Sequence, residues 1–248
     1  MKTILVPTDF SPASRKAGEY AAALALAIGA DIQLLHVYRE LMPATVGPEP
    51  WSVTESNLHK ENEVKMNEEI SFFRQYYSIE VGGDVRLGFK GDSISAAARE
   101  CGAGLIVMGM KKSRPGKILG STTMKMIRKT DVPVLVIPEG VIFQQLNNIV
   151  LAVDFNEMTD SATFDPLYEL VKKFDANLRV IHIEAKGAPA KASELPEKLQ
   201  LGRALYRFTY QYDRLENEHI SEGIKSYLDN HGGINTKIFF KPFIAGVH

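Results

Sequence analysis

The first part of the chain alternates an apolar segment, a helical segment and a second apolar segment, and this order constrains the fold more than any other feature. Lys2–Thr8 is a β-branched, apolar run that predicts a buried strand. Ser11 is a natural N-cap with Pro12 in the first helical position, apolar residues then recur every three or four positions, and Gly29 ends the helix. Ile32–Tyr38 predicts a second buried strand. Strands joined by such a helix must run parallel, because the crossover returns the chain to its starting edge.

The segments that follow complete a five-stranded α/β unit by about Pro138. For its sheet we expect the doubly wound strand order 3-2-1-4-5. The remaining predicted elements are a loop over Glu40–Trp51, a helix over Thr54–Tyr76, a strand over Glu80–Leu87, a helix over Ile94–Glu100 capped by Asp92 or Ser93, a strand over Leu105–Met108, a helix from Gly120 to Arg128 and a strand over Val132–Ile137.

The pattern then repeats. Ile4–Phe10 aligns with Ile149–Phe155, and Gly29–Val37 aligns with Asp175–Ile183 after a slip of one residue. The sequence therefore predicts two doubly wound parallel-sheet domains. The first covers residues 1–140 and the second covers residues 147–248.

The second copy is shorter than the first, either degenerate or truncated, and is expected to lack the last helix and the fifth strand. A helix near Leu195–Leu201, a third strand over Tyr206–Tyr212 and a fourth strand over Thr236–Phe240 are predicted. Without a fifth strand, we expect the fourth to be an open edge of the second sheet. Asp154 repeats Asp9, but this copy has no counterpart of Gly120-Ser121-Thr122.

Composition excludes several classes of protein. An apolar fraction of 45% and a charged fraction of 24% over 248 residues are typical of a globular chain, and the net charge of -1 provides no field for nucleic acid or an anionic membrane. Cys101 is the single cysteine, which excludes a disulfide framework and agrees with a cytoplasmic location; we expect it to be a small buried residue. No apolar run is long enough to span a bilayer. No hydrolase or metalloprotease motif is present, so no catalytic residue is assigned, and metal binding is left open.

Two polar segments follow predicted strands of the first copy. Pro7-Thr8-Asp9 follows strand one, and Gly109–Thr122 follows strand four. In a doubly wound sheet the ligand crevice lies at the carboxyl ends where the strand order reverses, which here is between strands one and four. We therefore expect the two segments to meet at one site.

Gly120-Ser121-Thr122 has the chemistry of a phosphate site. A glycine permits close approach, a helix start offers unpaired N–H groups and a favourable dipole, and two hydroxyls add donors. An ordinary N-cap preceded by a solvated basic loop is the alternative interpretation. The basic residues of that loop are Lys111, Lys112, Arg114 and Lys117.

In this order, these segments resemble the universal stress protein family, whose fold is a five-stranded α/β unit of the expected strand order. The resemblance covers the first copy and most of the second, and it implies a tandem member with an incomplete second domain. The segments that carry it are Pro7–Ser11, Leu34–Val37, Leu105–Gly109, Gly120–Thr122 and Val132–Pro138.

By this resemblance, Asp9 and Val37 border the adenine and ribose of a nucleotide, and Thr8, Met108 and Gly109 form the crevice walls. For Asp9, a favourable charge at the start of the first helix is an alternative that is compatible with ligand binding. His36 and His182 lie in apolar strands and are expected to be core residues. The expected binding residues are Pro7, Thr8, Asp9, Val37, Met108, Gly109, Met110, Lys111, Lys112, Gly120, Ser121 and Thr122.

The loop departs from the pattern of ATP-binding members, which is Gly, two residues, Gly, nine residues, Gly and then Ser or Thr. Lys112 occupies the second glycine position, and only seven residues separate it from Gly120. The lysine side chain obstructs close approach, but Lys111 and Lys112 also supply point charges for phosphate. We expect nucleotide binding to survive in altered form.

The resemblance implies that the chain binds ATP, or else ADP or AMP, with or without Mg²⁺, and acts in stress response through a nucleotide-dependent change of conformation or assembly. One alternative is a nucleotide-independent interaction module that forms a homodimer through Val132–Ile137. Another is a slow ATP hydrolase, for which Asp9 is the only nearby base.

Overall fold

The structure is a computed structural model that describes residues 1–39, 51–110, 130, 132–138, 140–153, 155, 164–185, 195–219, 222–223, 226–227, 230–231 and 237–239. The strands are β1 (Thr3–Thr8), β2 (Asp31–Tyr38), β3 (Val81–Leu87), β4 (Leu105–Met110), β5 (Val134–Pro138), β6 (Asn148–Ala152), β7 (Asn177–Ala185), β8 (Tyr210–Asn217) and β9 (Lys237–Phe239). The helices are α1 (Pro12–Ile28), α2 (Trp51–Tyr76), α3 (Lys90–Glu100), α4 (Asp165–Phe174) and α5 (Leu195–Ala204).

The predicted α/β fold and its strand order are confirmed. One sheet has the order β3-β2-β1-β4-β5-β9, and its first five strands are parallel neighbours in the expected order 3-2-1-4-5. Its two faces bury different residues. Ile4 and Leu34 belong to the core on the side of α1 and α2, whereas Leu5 and Val37 pack with Ile94 of α3 on the opposite side. Helices therefore cover both faces of the sheet, as in other doubly wound folds.

Helix α1 begins and ends where its local chemistry predicts. The Ser11 side chain accepts a hydrogen bond from the Ser14 N–H at 3.3 Å, and Pro12 occupies the first turn. Gly29 closes the helix in the left-handed conformation, at φ 71°, and its N–H donates to the Ala25 carbonyl. The helix therefore delivers the chain from the carboxyl end of β1 back to the start of β2.

Two other helices begin earlier than predicted. Helix α2 starts at Trp51, which was assigned to the preceding loop. Helix α3 starts at Lys90 after Phe89, and no side chain caps it, so the prediction of Asp92 or Ser93 as N-cap is wrong. Asp92 lies instead inside the first turn, where the helix dipole favours a carboxylate.

A second, partial sheet contains three parallel strands in the order β6-β7-β8. The predicted third strand is displaced, because β8 covers Tyr210–Asn217 while Tyr206 lies in an exposed turn after α5. The two sheets share a continuous apolar core, in which the Tyr20 ring meets Phe143 edge-on at 5.2 Å and Phe143 contacts Phe174.

Strand β9 was predicted to be the open edge of the second sheet, and this is wrong. It pairs antiparallel with β5 of the first sheet, where Val134 lies opposite Phe239 and Val136 lies opposite Lys237. The edge of β5 offers unpaired N–H and C=O groups, which a short strand can satisfy. The homodimer through Val132–Ile137 stays a prediction, and it requires β9 to leave this edge. The domain limits at 140 and 147 likewise stay predictions.

Candidate functional site

The first sheet opens between β1 and β4 at its carboxyl edge. The ladder between these strands joins Ile4 to Leu105 and Leu5 to Ile106. Beyond these pairs, β1 continues to Thr8 and β4 continues to Met110. The opening lies at the point where the order of the strands reverses, which is the place where doubly wound sheets bind ligands. The two segments selected from the sequence thus begin on either side of one opening.

The turn after β1 is held by hydrogen bonds of Thr8. Its buried Oγ1 accepts a hydrogen bond from the Phe10 N–H at 3.0 Å and lies 3.1 Å from the Ser14 hydroxyl. Phe10 has a φ of 58°, which is costly for a bulky residue. The surrounding bonds hold this strained turn, which leaves Asp9 exposed at the rim of the opening.

Asp9 also interacts with the start of α1. Its Oδ1 accepts a hydrogen bond from the Ser11 N–H at 3.1 Å. This contact is the helix-terminus interaction that the sequence offered as one interpretation, and it orients the carboxylate beside the opening. It is compatible with a ligand role for Asp9, which stays a prediction.

His36 lies under this turn and is buried, as expected. Its Nδ1 donates to the Thr8 carbonyl at 2.8 Å, and its ring lies 4.4 Å from that of Phe10. Burial is the main cause that lowers the pKa of His36, and the charges of Lys90 and Lys65 lower it further. The hydrogen bond to Thr8 and the charge of Asp9 raise it, but by less than the lowering. His36 therefore holds the turn through its hydrogen bond to Thr8, and its pKa lies below that of a free imidazole.

The second sheet repeats this arrangement. His182 is buried, its Nδ1 donates to the Val153 carbonyl at 2.9 Å, and its ring contacts Phe155 at 4.8 Å. The two histidines occupy corresponding positions in the aligned segments of the sequence. Because the second copy has no Gly-Ser loop, the shared histidine bond is a structural device that does not depend on a phosphate site.

The remaining described wall residues lie on opposite faces of the sheet. Val37 and Met108 are buried on the side of α3, whereas Gly109 faces α1. A Cβ added to Gly109 would lie 2.5 Å from the Ala13 carbonyl oxygen and 3.3 Å from the Ala17 Cβ. Close packing of the helix on the strand therefore requires glycine at position 109, whatever binds in the opening. Sequence analysis assigned this glycine to ligand contact and missed its packing role.

Part of the expected site lies outside the described residues. Pro7 is in β1 and Met110 is the last residue of β4, so both lie at the opening. The residues of the expected phosphate segment that fall outside the described part of the chain are Lys111, Lys112, Gly120, Ser121 and Thr122. Within the described ranges, no group of three or more His, Cys, Asp or Glu side chains has the arrangement of a metal site.

Sequence analysis missed an aromatic and cationic pair at the same edge of the sheet. Phe89 is 59% exposed, and the Arg39 guanidinium carbon lies 4.2 Å from the centroid of its ring. The Gly88 N–H donates to the Tyr38 carbonyl at 2.9 Å, which ties the start of α3 to the end of β2. The only sequence signal for this pair is an aromatic residue in an otherwise polar turn, which is not distinctive.

The fold and its opening define a doubly wound α/β protein with a ligand crevice at the carboxyl edge of its first sheet. The chain belongs to the universal stress protein family, whose family model matches residues 1–138. No curated protein matches the chain significantly in sequence. None of the described helices has both the length and the apolar character needed to cross a membrane.

Solved structures of universal stress proteins resemble this one. A universal stress protein from Archaeoglobus fulgidus DSM 4304 is 18% identical, with a TM-score of 0.62, over 92% of this chain and 84% of the other. A family member from Burkholderia pseudomallei is 23% identical, with a TM-score of 0.46, over 55% of this chain and 96% of its own. A universal stress protein in complex with cAMP is 20% identical, with a TM-score of 0.43, over 55% of this chain and 96% of its own. The first of these matches shows a shared fold.

Proposed function

We propose that the chain binds an adenine nucleotide, ATP or else ADP or AMP, in the opening between β1 and β4, and that occupancy acts in stress response by changing its conformation or assembly. The observation that carries the proposal is the end of the β1–β4 ladder at Leu5 and Ile106, with Asp9 exposed on the rim. A ligand changes such an equilibrium only through different affinities for the two states. Nucleotide binding therefore has to be tested before the wider role.

The nucleotide is proposed to lie with its adenine and ribose at Asp9 and Val37. An ionised carboxylate such as that of Asp9 accepts hydrogen bonds from ribose hydroxyls. Val37 and Met108 are apolar residues near the carboxyl ends of β2 and β4 and suit the face of a base. The triphosphate then extends toward the segment between Gly109 and Thr122, which contains four basic residues.

Lys112 determines what kind of phosphate site this segment forms. A lysine in place of glycine reduces backbone access, but its ammonium group binds phosphate as a point charge. We propose that charge replaces part of the backbone cradle, so affinity depends more strongly on ionic strength than it would with amide donors alone. Lys112→Gly should raise the affinity for ATP at high salt and lower it at low salt.

Binding can be tested on the protein as it is purified. Denaturation should release ATP, ADP or AMP into the supernatant, and added ATP should raise the melting temperature of the nucleotide-free protein. At a ligand concentration of 100 times Kd the stabilisation is about 2.7 kcal/mol. For a chain of this size that corresponds to a shift of about 5–10 °C. Titrations with and without Mg²⁺ will show whether the ion accompanies the nucleotide.

Gly120→Asp tests the location of the site. The added carboxylate would repel the phosphates, so the thermal shift should be lost. Gly202→Asp is the matched control, because Gly202 lies in α5 with no atom near its missing Cβ and the charge change is the same. An undiminished shift in Gly120→Asp would show that the nucleotide binds elsewhere.

The same experiments distinguish two alternative functions. A protein that releases no nucleotide and shows no shift with ATP, ADP or AMP is better described as an interaction module. Release of inorganic phosphate from ATP that is lost in Asp9→Ala would instead indicate a slow hydrolase.

A further inference from the structure

We propose that Phe89, with the Arg39 guanidinium stacked on its ring, is the base-stacking wall of this nucleotide site and sets its preference for a base-containing ligand. The inference rests on the proposed function, and it adds a residue that lies outside the two segments used to define the site. With this role for Phe89, the start of α3 would help to determine which ligands the site binds.

The position of Phe89 follows from the register of β2 and from the contacts of α3. Arg39 follows Val37 by two residues, so both side chains lie on the same side of the extended chain, about 7 Å apart along it. Val37 packs with Ile94 of α3, and Arg39 contacts Phe89 at the start of that helix. Phe89 therefore lies beyond Val37 at the carboxyl edge of the sheet, on the side of α3.

Phe89 is an exposed aromatic residue at the start of α3. Its ring is 59% exposed, and the two residues that follow it are Lys90 and Gly91 rather than core residues. An aromatic ring with a guanidinium on one side presents a flat, polarisable and positively charged surface. Such a surface suits the plane of a purine that carries a polyanion.

Charge on this rim agrees with the same ligand. Arg39 and Lys90 are both exposed and lie on either side of Phe89, Lys90 as its neighbour in sequence and Arg39 through its contact with the ring. Two cations at this edge of the sheet attract a polyanionic nucleotide over a neutral base through their long-range field, while its phosphates extend toward the segment between Gly109 and Thr122. Asp9 is an exposed carboxylate beside the start of α1, and it is proposed to contact the ribose.

The alternative is that the pair stabilises the start of α3. No side chain caps this helix, and a guanidinium on an aromatic ring is by itself a favourable contact. In that case removal of the ring should lower the stability of the protein and affect all ligands of the crevice equally. The stacking proposal instead predicts an effect that depends on the presence of a base.

The test compares ATP with inorganic tripolyphosphate by calorimetric titration of the full chain. Stacking of a base on an aromatic side chain predicts a loss of about tenfold in ATP affinity for Phe89→Ala. The affinity for tripolyphosphate, which has no base, should not change. Phe89→Tyr should restore most of the ATP affinity, and Tyr206→Ala, which removes a 70% exposed ring of the second half, should have no effect.

The outcomes separate this inference from the proposed function. If the wild-type protein binds neither ligand, the proposed function fails. If it binds ATP and Phe89→Ala binds ATP equally well, the stacking role of Phe89 is wrong. If Phe89→Ala weakens ATP and tripolyphosphate by the same factor, Phe89 acts through the position of α3 and the stacking role is again overturned.

Discussion

Gly109→Ala should destabilise the protein, because α1 packs directly on the end of β4. The new Cβ would lie 2.5 Å from the Ala13 carbonyl oxygen, 3.0 Å from the Ala13 carbonyl carbon and 3.3 Å from the Ala17 Cβ. An ordinary contact is about 3.5 Å, so the start of α1 has to move by about 1 Å. The obstructing atoms belong to the helix backbone, which cannot turn away as a flexible side chain would.

The expected size follows from two opposing effects. Overpacking of this kind costs about 1–3 kcal/mol, and a backbone obstacle favours the upper half of that range. Replacing glycine also restricts the unfolded chain, which returns about 0.4–1 kcal/mol. The net loss in the free energy of unfolding should be about 2 kcal/mol, which corresponds to a fall of about 4–8 °C in melting temperature.

Urea unfolding followed by circular dichroism measures this free energy, with Gly202→Ala as the matched control. Gly202 lies within α5, and nothing lies within 4 Å of its missing Cβ. The same chemical change should therefore stabilise the protein there by about 0.5–1 kcal/mol. If Gly109→Ala unfolds within about 0.5 kcal/mol of the wild type, the close packing of α1 on β4 is refuted.

Three further predictions concern charged and titrating groups. Glu69 is 2% exposed, and both of its carboxylate oxygens lie 3.1 Å from the Arg15 Nε. In urea unfolding, Glu69→Ala should lower the free energy of unfolding by about 2 kcal/mol. The control Glu63→Ala removes an exposed carboxylate and should lower it by less than about 1 kcal/mol. Burial holds the pKa of His36 below 6.5, so the imidazole binds a proton more readily in the unfolded chain than in the folded one. The free energy of unfolding should therefore decrease as the pH falls through about 6.5. An equal decrease in the His36→Gln variant would contradict this prediction. Burial raises the pKa of Cys101, so the pH midpoint of its alkylation by iodoacetamide should lie above the midpoint of a free thiol. A midpoint at or below that of the free thiol would contradict this prediction.

Much of the fold could be predicted where local chemistry determines it. The ends of α1 depend on the hydroxyl of Ser11 and the left-handed conformation of Gly29, and both predictions were confirmed. The start of α3 was missed because Phe89 provides no capping side chain. A helix that begins without a cap has no local signal at its first residue, so its start depends on the loop that precedes it.

The candidate site likewise has features that the sequence predicts and features that it does not. The location of the opening follows from strand order, which the alternation of strands and helices predicts. The reason for glycine at position 109 is contact with Ala13, about a hundred residues earlier in the chain, and no spacing rule indicates such a contact. The pairing of Arg39 with Phe89 is likewise a contact between residues that lie on different elements.

The sequence by itself determined the type and order of the described elements up to β5, the parallel pairing of those five strands and the edge at which their loops converge. The predicted helix from Gly120 to Arg128 lies outside the described residues. Tertiary structure decided that β9 pairs with β5 rather than with the second sheet, and that α1 lies directly against Gly109. The physical reason is the range of the interactions. A cap or a turn closes its hydrogen bonds within a few residues, whereas the backbone groups of a strand pair equally well with any neighbour that packing brings to its edge.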